Sequence, residues 1–215
     1  MIKRFRIAAA LAAVAVLVVF GVEEVRGQSD TDVAGTVTRL QGRAVAMQDA
    51  LPRPLKVGDS ILVGDVVSTG KGARIELKML DDAVMTLGAK TVFVVVDYLV
   101  TGARPNAAMR LLQGAFSAVS GKMMQTADAS FIVSTETATI GVRGTTFWGG
   151  TLDGDFEVAL LDGKGVYVET KAGRVELTRV GDGTRITGAD APPGAPVKWD
   201  ADKTARAVAT VAFDK

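Results

Sequence analysis

The sequence predicts an all-β protein, built as a solenoid-like or sandwich stack of short antiparallel strands. Three observations lead to this prediction. Short runs rich in Val, Ile, Thr and Phe follow one another along most of the chain, and these residue types favour strands. Gly or Asp-Gly ends these runs at short, fairly regular intervals, as turns do. Helical patterns do not separate the runs, so the crossover helices of a parallel sheet are not expected.

The first half of the β region contains an alternating run and several acidic turns. Residues 74–80 alternate polar and apolar side chains, which predicts a half-buried strand. Asp59 and Asp65 each follow a glycine and are predicted to cap their own turns, with calcium ligation as the alternative. Asp81 and Asp82 are predicted to form a solvated turn, with carboxylate catalysis of glycoside hydrolysis as the alternative.

Residues 131–150 form the stretch around which the rest of the chain is organised. Alternation over residues 131–136 is followed by Gly141 and Gly144 among β-forming residues, which predicts a strand, a bend and a second strand. A glycine in such a run often marks a bulge or a close approach of the backbone. Arg143 lies at the bend and has two interpretations: a strut that donates to backbone carbonyls, or a contact for a partner or an anion.

Trp148 is the second candidate contact residue. Alternation that points Phe147 into the core would point Trp148 outward, and an exposed Trp can mark an interface. Packing in the core or at a sheet edge is the alternative for Trp148. Tyr98 and Trp148 are also the two aromatic residues that would support stacking against a glycan.

The C-terminal part of the chain contains further strand and turn signals. Asp162 and Gly163 stand between two alternating runs, which predicts a β-hairpin. Residues 173–178 and 184–187 are predicted to form another strand pair. Residues 198–215 fit either a helix or a strand.

The N-terminus has the pattern of an export segment. Lys3, Arg4 and Arg6 precede an apolar run over residues 7–22. We expect a signal peptide cleaved after Gly27, or an uncleaved anchor in the inner membrane; a buried core helix is a third possibility. Either export route places the remainder in the periplasm, soluble or anchored, and leaves too few residues behind for a cytoplasmic domain. The predicted organisation is a signal peptide or anchor (1–27), a linker (28–34), a β domain (35–190) and a C-terminal tail (191–215).

The amino-acid composition limits the kinds of catalytic and metal site that the chain can form. The chain has no Cys and no His, which excludes Ser-His-Asp and Cys-His catalysis, thiolate zinc sites and a disulfide framework. The net charge of +1 gives no electrostatic footprint for nucleic acid. We therefore expect a protein that is not an enzyme, with no cofactor, no metal site and no nucleic-acid partner.

Motifs taken in order resemble the FecR domain family. The motifs that resemble the first half of that domain are Leu55-x-x-Gly58-Asp59-x-Ile61, Thr69-Gly70, Ala73-Arg74-Ile75-x-Leu77, Asp81-Asp82 and Met85-x-Leu87. The motifs that resemble its second half are Gly114-x-Phe116, Phe131-x-Val133-x-Thr135 and Val142-Arg143-Gly144-Thr145-x-Phe147. The resemblance covers residues 35–187. Its structural motif positions are Gly58, Asp59, Gly70, Gly141, Gly144 and Thr145.

The resemblance implies an envelope module with a β-solenoid-like fold. In its best-known setting, a FecR-type sensor passes a signal from an outer-membrane transporter to a cytoplasmic sigma factor. This sequence departs from that setting, because the expected export segment leaves no room for a cytoplasmic anti-sigma segment. We therefore expect a non-catalytic interaction, signalling or scaffold module that binds an envelope protein through Arg143 and Trp148. The alternative is a module that binds glycan or peptidoglycan.

Overall fold

Two nine-stranded sheets form the body of the protein in the computed structural model, which describes residues 33–214. The strands are β1 (Val33–Gln41), β2 (Ala44–Gln48), β3 (Leu51–Pro54), β4 (Ser60–Leu62), β5 (Val66–Thr69), β6 (Arg74–Met79), β7 (Val84–Leu87), β8 (Val92–Leu99), β9 (Asn106–Gln113), β10 (Ala115–Val119), β11 (Ser130–Ser134), β12 (Thr139–Val142), β13 (Thr145–Leu152), β14 (Asp155–Gly163), β15 (Val166–Thr170), β16 (Gly173–Leu177), β17 (Asp182–Ile186) and β18 (Val197–Lys198). Sheet I has the order β18-β17-β14-β13-β10-β7-β6-β1-β4, and sheet II has the order β16-β15-β12-β11-β9-β8-β5-β2-β3.

The chain builds the two sheets in turn. It lays one or two strands in one sheet, passes to the other, and advances in the same direction along both. Neighbouring strands are antiparallel, except that β9 and β11 are parallel. The predicted all-β character is confirmed, and the stack takes the form of two open sheets rather than a closed barrel.

Alternation along the strands gives both sheets an apolar inner face. In β6, the predicted half-buried strand, Ile75, Leu77 and Met79 are buried while the residues between them are more exposed. Phe93 of sheet II packs against Phe116 of sheet I with the ring centroids 5.6 Å apart. The inner faces therefore share one continuous hydrophobic core.

Buried threonines take over the backbone hydrogen bonding where the chain passes between the sheets. Thr145, the first residue of β13, donates through Oγ1 to the carbonyl of Gly165 at 2.8 Å and accepts from the Gly165 amide at 2.9 Å. Thr69 and Thr91 act in the same way at other passages: Thr69 Oγ1 donates to the Gly88 carbonyl and accepts from the Thr91 amide. Each hydroxyl accepts from one backbone amide and donates to one backbone carbonyl where the strand ladder is interrupted.

The predicted hairpin at Asp162 and Gly163 is wrong. These residues end β14 in sheet I, and the chain then enters β15 in sheet II. Gly163 and Gly165 both have positive φ angles, and a Cβ at either position would lie under 3.0 Å from a backbone atom. These two glycines therefore allow a tight passage of the chain between the sheets, and they do not form a two-residue hairpin turn.

The predicted pairing of residues 173–178 with 184–187 is wrong for a related reason. The strand β16 pairs with β15 at the edge of sheet II, whereas β17 pairs with β14 and β18 in sheet I. The two runs lie on opposite sheets, so a turn between them does not make a hairpin.

The C-terminal segment covers the outer face of sheet I. An α-helix, α1 (Ala201–Ala209), begins after Asp200, whose carboxylate accepts from the Lys203 amide at 2.7 Å. Beyond the helix, Asp214 exchanges two hydrogen bonds with Gln41 of β1. The segment predicted as a tail therefore packs on the sheet, and of the two possibilities for residues 198–215 the helix forms.

The predicted N-terminal export segment, residues 1–27, lies outside the described residues. Within residues 33–214, no helix is both long and apolar enough to cross a membrane.

The turn between β6 and β7 places one of its two aspartates in the core, so the prediction of a solvated pair is wrong for Asp81. Asp81 is buried, and its carboxylate accepts from the amides of Ala83 and Met123 and from the Tyr98 hydroxyl. Asp82 is exposed, and Lys122 and then Lys78 hold its pKa at about 2. Asp81 thus joins three segments through one buried carboxylate.

We predict that Thr145→Val lowers the free energy of unfolding by about 1–3 kcal/mol, because the Gly165 amide loses its partner inside the protein and the Gly165 carbonyl keeps only the Arg143 amide. Thr146→Val is the matched control, since the Thr146 hydroxyl has no hydrogen-bond partner within residues 33–214. Urea unfolding of both variants measures the difference. Equal stability of the two variants would contradict the role assigned to Thr145.

We predict that the stabilising effect of the Tyr98 hydroxyl depends on pH. Burial, and then the hydrogen bond to Asp81, raise the pKa of Tyr98 above its ordinary value of 10.0. The folded protein keeps this proton above pH 10 while the unfolded chain loses it, so this stabilisation is present below pH 10 and declines as the pH rises.

Accordingly, Tyr98→Phe should be less stable than the wild type by about 1–3 kcal/mol at neutral pH, and the difference should shrink near pH 11. Tyr167→Phe, which removes a hydroxyl with no hydrogen-bond partner in the described part of the chain, should change stability little at either pH. Urea unfolding across this pH range gives both comparisons. A difference for Tyr98→Phe that stays constant or grows with pH would refute the prediction.

Candidate functional site

Two neighbouring passages between the sheets bring Arg143 and Lys164 to one rim. The chain leaves sheet II at the end of β12 and enters β13 of sheet I through Arg143 and Gly144, and Gly144 has a φ of +67°. This is the bend predicted between Gly141 and Gly144. The Arg143 amide donates to the Gly165 carbonyl at 3.1 Å, and the Lys164 amide donates to the Gly144 carbonyl at 3.2 Å. The two cationic residues are therefore held side by side through their backbones.

A cleft of about 490 Å³ opens beside this rim. Its lining comprises the end of the 3-10 helix (Lys122–Gln125) and the segment after it, parts of β11 and β12, the two rim cations and Tyr167. The lining residues are Met124, Gln125, Thr126, Ala127, Ala129, Ser130, Phe131, Ile132, Gly141, Val142, Arg143, Lys164 and Tyr167. A second cavity of about 450 Å³, which also has Asp162 in its lining, shares Met124, Gln125 and Lys164 with it. We refer to the two adjoining cavities as the groove.

Gly141 is required by the side chain that lies against it. A Cβ at this position would lie 1.9 Å from Cε1 of Tyr167, the residue paired with Gly141 across β12 and β15. The Arg174 guanidinium stacks on the other side of the ring, 3.7 Å from its centroid. The close backbone approach predicted for this glycine is therefore the seat of the Tyr167 ring, which forms one wall of the cleft.

Arg143 is not a strut. Its side chain is 58% exposed, and the ion pair it makes within the described residues is with Glu176, at 3.4 Å. Glu176 also accepts from Arg174 at 3.1 Å. Backbone amides of Arg143 and Lys164, rather than the guanidinium, satisfy the carbonyls at the bend. The guanidinium is exposed beside the cleft, and the alternative interpretation of Arg143 as a contact stays a prediction.

Comparison with known families gives a match over part of the chain. Residues 65–164 match the family model described as FecR protein. Residues 65–164 are therefore similar to the FecR domain. The matched span begins at Asp65 and ends at Lys164, so it contains the bend and most of the cleft lining.

Solved structures show the same fold. Two crystal structures of a candidate anti-sigma factor from Parabacteroides distasonis ATCC 8503, at 1.65 Å and 2.50 Å, each align with a TM-score of 0.51. Identity is 20%, and each alignment covers 64% of this chain and 61% of that one, so the chain spans about three fifths of that protein's length. This likeness establishes the fold alone. No protein with curated annotation matches the sequence.

Trp148 is not exposed, and the predicted outward contact is wrong. Its side chain does lie on the outer face of sheet I, but that face is covered, and Trp148 is 0% exposed. Its indole Nε1 donates to Thr210 Oγ1 at 2.9 Å, and its ring lies 6.0 Å from that of Trp199. Tyr98 is also buried, so both aromatic residues expected to support glycan stacking are removed from the surface.

Other predicted site residues lie away from the cleft. Asp59 and Asp65 cap turns as predicted, accepting from the amides of Lys56 and Leu62 at 2.8 Å. Gly58 has a φ of +93° in the first of these turns, and the Gly70 amide donates to the Arg43 carbonyl. Within residues 33–214, no three acidic side chains converge in a way that could hold a metal ion.

Several residues of the cleft were not predicted from the sequence, chiefly Lys164, Tyr167 and Met124. Lys164 stands between Gly163 and Gly165, and this flanking by glycines was a usable signal of an unusual backbone. Tyr167 and Met124 carry no such signal, because their roles depend on which distant strand each one meets. The charged and apolar parts of the cleft come from different passages of the chain.

Proposed function

We propose that this chain is a non-catalytic protein-binding module of the cell envelope that acts in signalling or scaffolding, and that the cleft beside Arg143 contacts its partner. The observation that carries the proposal is the FecR match over residues 65–164, because it encloses the bend, the rim and most of the lining. The basic, apolar run of the N-terminus supports the envelope location, since it has the pattern of an export segment.

The make-up of the cleft supports binding rather than catalysis. The ionisable groups in its lining are Arg143, Lys164 and Tyr167, and the remaining lining groups are amides, hydroxyls and apolar side chains. Arg, aromatic residues and Met are enriched at protein interfaces, and Arg143, Tyr167 and Met124 supply these residue types in the cleft. The solved relative is named as a candidate anti-sigma factor, which supports a regulatory role for a protein of this fold.

Site-specific cross-linking in the native host tests this proposal. We would place a photo-cross-linking amino acid at Gln125, an exposed residue of the lining that leaves Arg143 and Lys164 intact. The control position is Arg43, which follows β1 and lies five strands from β12 along sheet II, roughly 24 Å away at a strand spacing of about 4.8 Å.

We expect one dominant envelope protein to be captured from position 125 and not from position 43. Arg143→Glu should abolish this capture while leaving the melting temperature nearly unchanged, because an exposed ion pair contributes about 0–1 kcal/mol. Capture of cell-wall fragments in place of protein would favour glycan binding, and equal capture from both positions would contradict a role for the cleft.

A further inference from the structure

The cleft has an unbalanced charge. Arg143 and Lys164 are the charged residues of its lining, and no carboxylate of the described residues is among the lining groups. Lys164 makes no ion pair with another residue of the 33–214 region. The chain as a whole is nearly neutral, with a net charge of +1, so this concentration of positive charge is local.

One carboxylate just outside the lining pairs with one of the two cations, Arg143. Glu176 is 44% exposed and is shared between Arg143 at 3.4 Å and Arg174 at 3.1 Å. The longer contact leaves much of the hydrogen-bonding capacity of the Arg143 fork unused, since that fork can bind a carboxylate through two parallel hydrogen bonds. Glu176 therefore occupies the position that a partner's carboxylate would compete for.

The shape of the groove suits an extended chain. The cleft of about 490 Å³ and the adjoining cavity of about 450 Å³ share Met124, Gln125 and Lys164, so the groove runs past both rim cations. The excess of positive charge belongs to the cleft, because the adjoining cavity has the carboxylate of Asp162 in its lining. The Tyr167 ring and the Met124 thioether give it apolar walls between the charges. Alternating charged and apolar side chains of an extended segment would meet cations and walls in turn.

We propose that the groove binds an extended acidic segment of the partner protein, whose carboxylates displace Glu176 from Arg143 and pair with Lys164. The inference rests on the proposed function, because it names the chemistry of the partner at the same site. Glu176 then acts as an internal competitor: it keeps the two arginines oriented in the free protein and yields to the incoming carboxylate.

Fluorescence anisotropy with labelled peptides tests this proposal on the full chain in mild detergent. The probe is an alternating Glu-Val peptide, and the matched control is the same peptide with Gln in place of Glu. We expect the Glu peptide to bind at least about tenfold more tightly. We also expect its affinity to fall between about 50 mM and about 300 mM NaCl.

Three substitutions sharpen the test. Arg143→Gln and Lys164→Gln should each weaken binding of the Glu peptide by about fivefold or more, whereas Glu176→Gln should strengthen it, because the competing carboxylate is gone. Arg43→Gln, at the distant control position, should leave the affinity unchanged. A merely structural role for Glu176 predicts the opposite sign, since its loss would then loosen the site.

Equal binding of the Glu and Gln peptides, or weaker binding in Glu176→Gln, would overturn the proposal. Tighter binding of inorganic phosphate or of a peptidoglycan fragment than of the Glu peptide would overturn it as well. If the peptide-binding experiment fails while a protein is captured from position 125, a protein partner binds the cleft through other chemistry. Failure of both experiments would remove the proposed function too.

Discussion

The need to satisfy backbone groups at each passage between the sheets constrains this fold more than any single core contact. The chain changes sheet repeatedly, and each change interrupts a strand ladder inside the protein. Buried threonine hydroxyls meet the need by donating to one strand and accepting from another, at Thr69, Thr91 and Thr145. A hydroxyl can do both at once, which an apolar side chain of the same shape cannot.

Two such passages of the chain form the candidate site. Thr145 joins the passage through Arg143 to the passage through Lys164, because its hydroxyl binds both backbone groups of Gly165. Arg143 and Lys164 are thereby held beside one groove through their backbone amides, and the charge of Arg143 is used within the described residues only in its exposed ion pair with Glu176. The same arrangement leaves room for the Tyr167 ring over Gly141, which gives the groove a wall. Partner binding, as proposed, would use groups that folding leaves free.

Local patterns in the sequence predicted the strands, the bend and the turn caps, because these depend on residues close together in the chain. They could not predict which sheet each strand joins, so the Asp162-Gly163 turn was assigned to a hairpin. Alternation correctly put Trp148 opposite Phe147, yet it carried no information about a helix some fifty residues later that covers that face. Arg143 was found as a candidate contact, whereas Tyr167 and Lys164 became site residues only through long-range packing.

Amide hydrogen exchange of Gly165, in the wild type and in Thr145→Val, tests most directly whether the Thr145 hydroxyl holds the two passages together. The Gly70 amide, which donates to the Arg43 carbonyl at a different passage, is the internal reference. We predict slow exchange at Gly165 in the wild type and at least about tenfold faster exchange in the variant, with a much smaller change at Gly70. Unchanged exchange at Gly165, or equal acceleration at both glycines, would contradict this account of how the site is held.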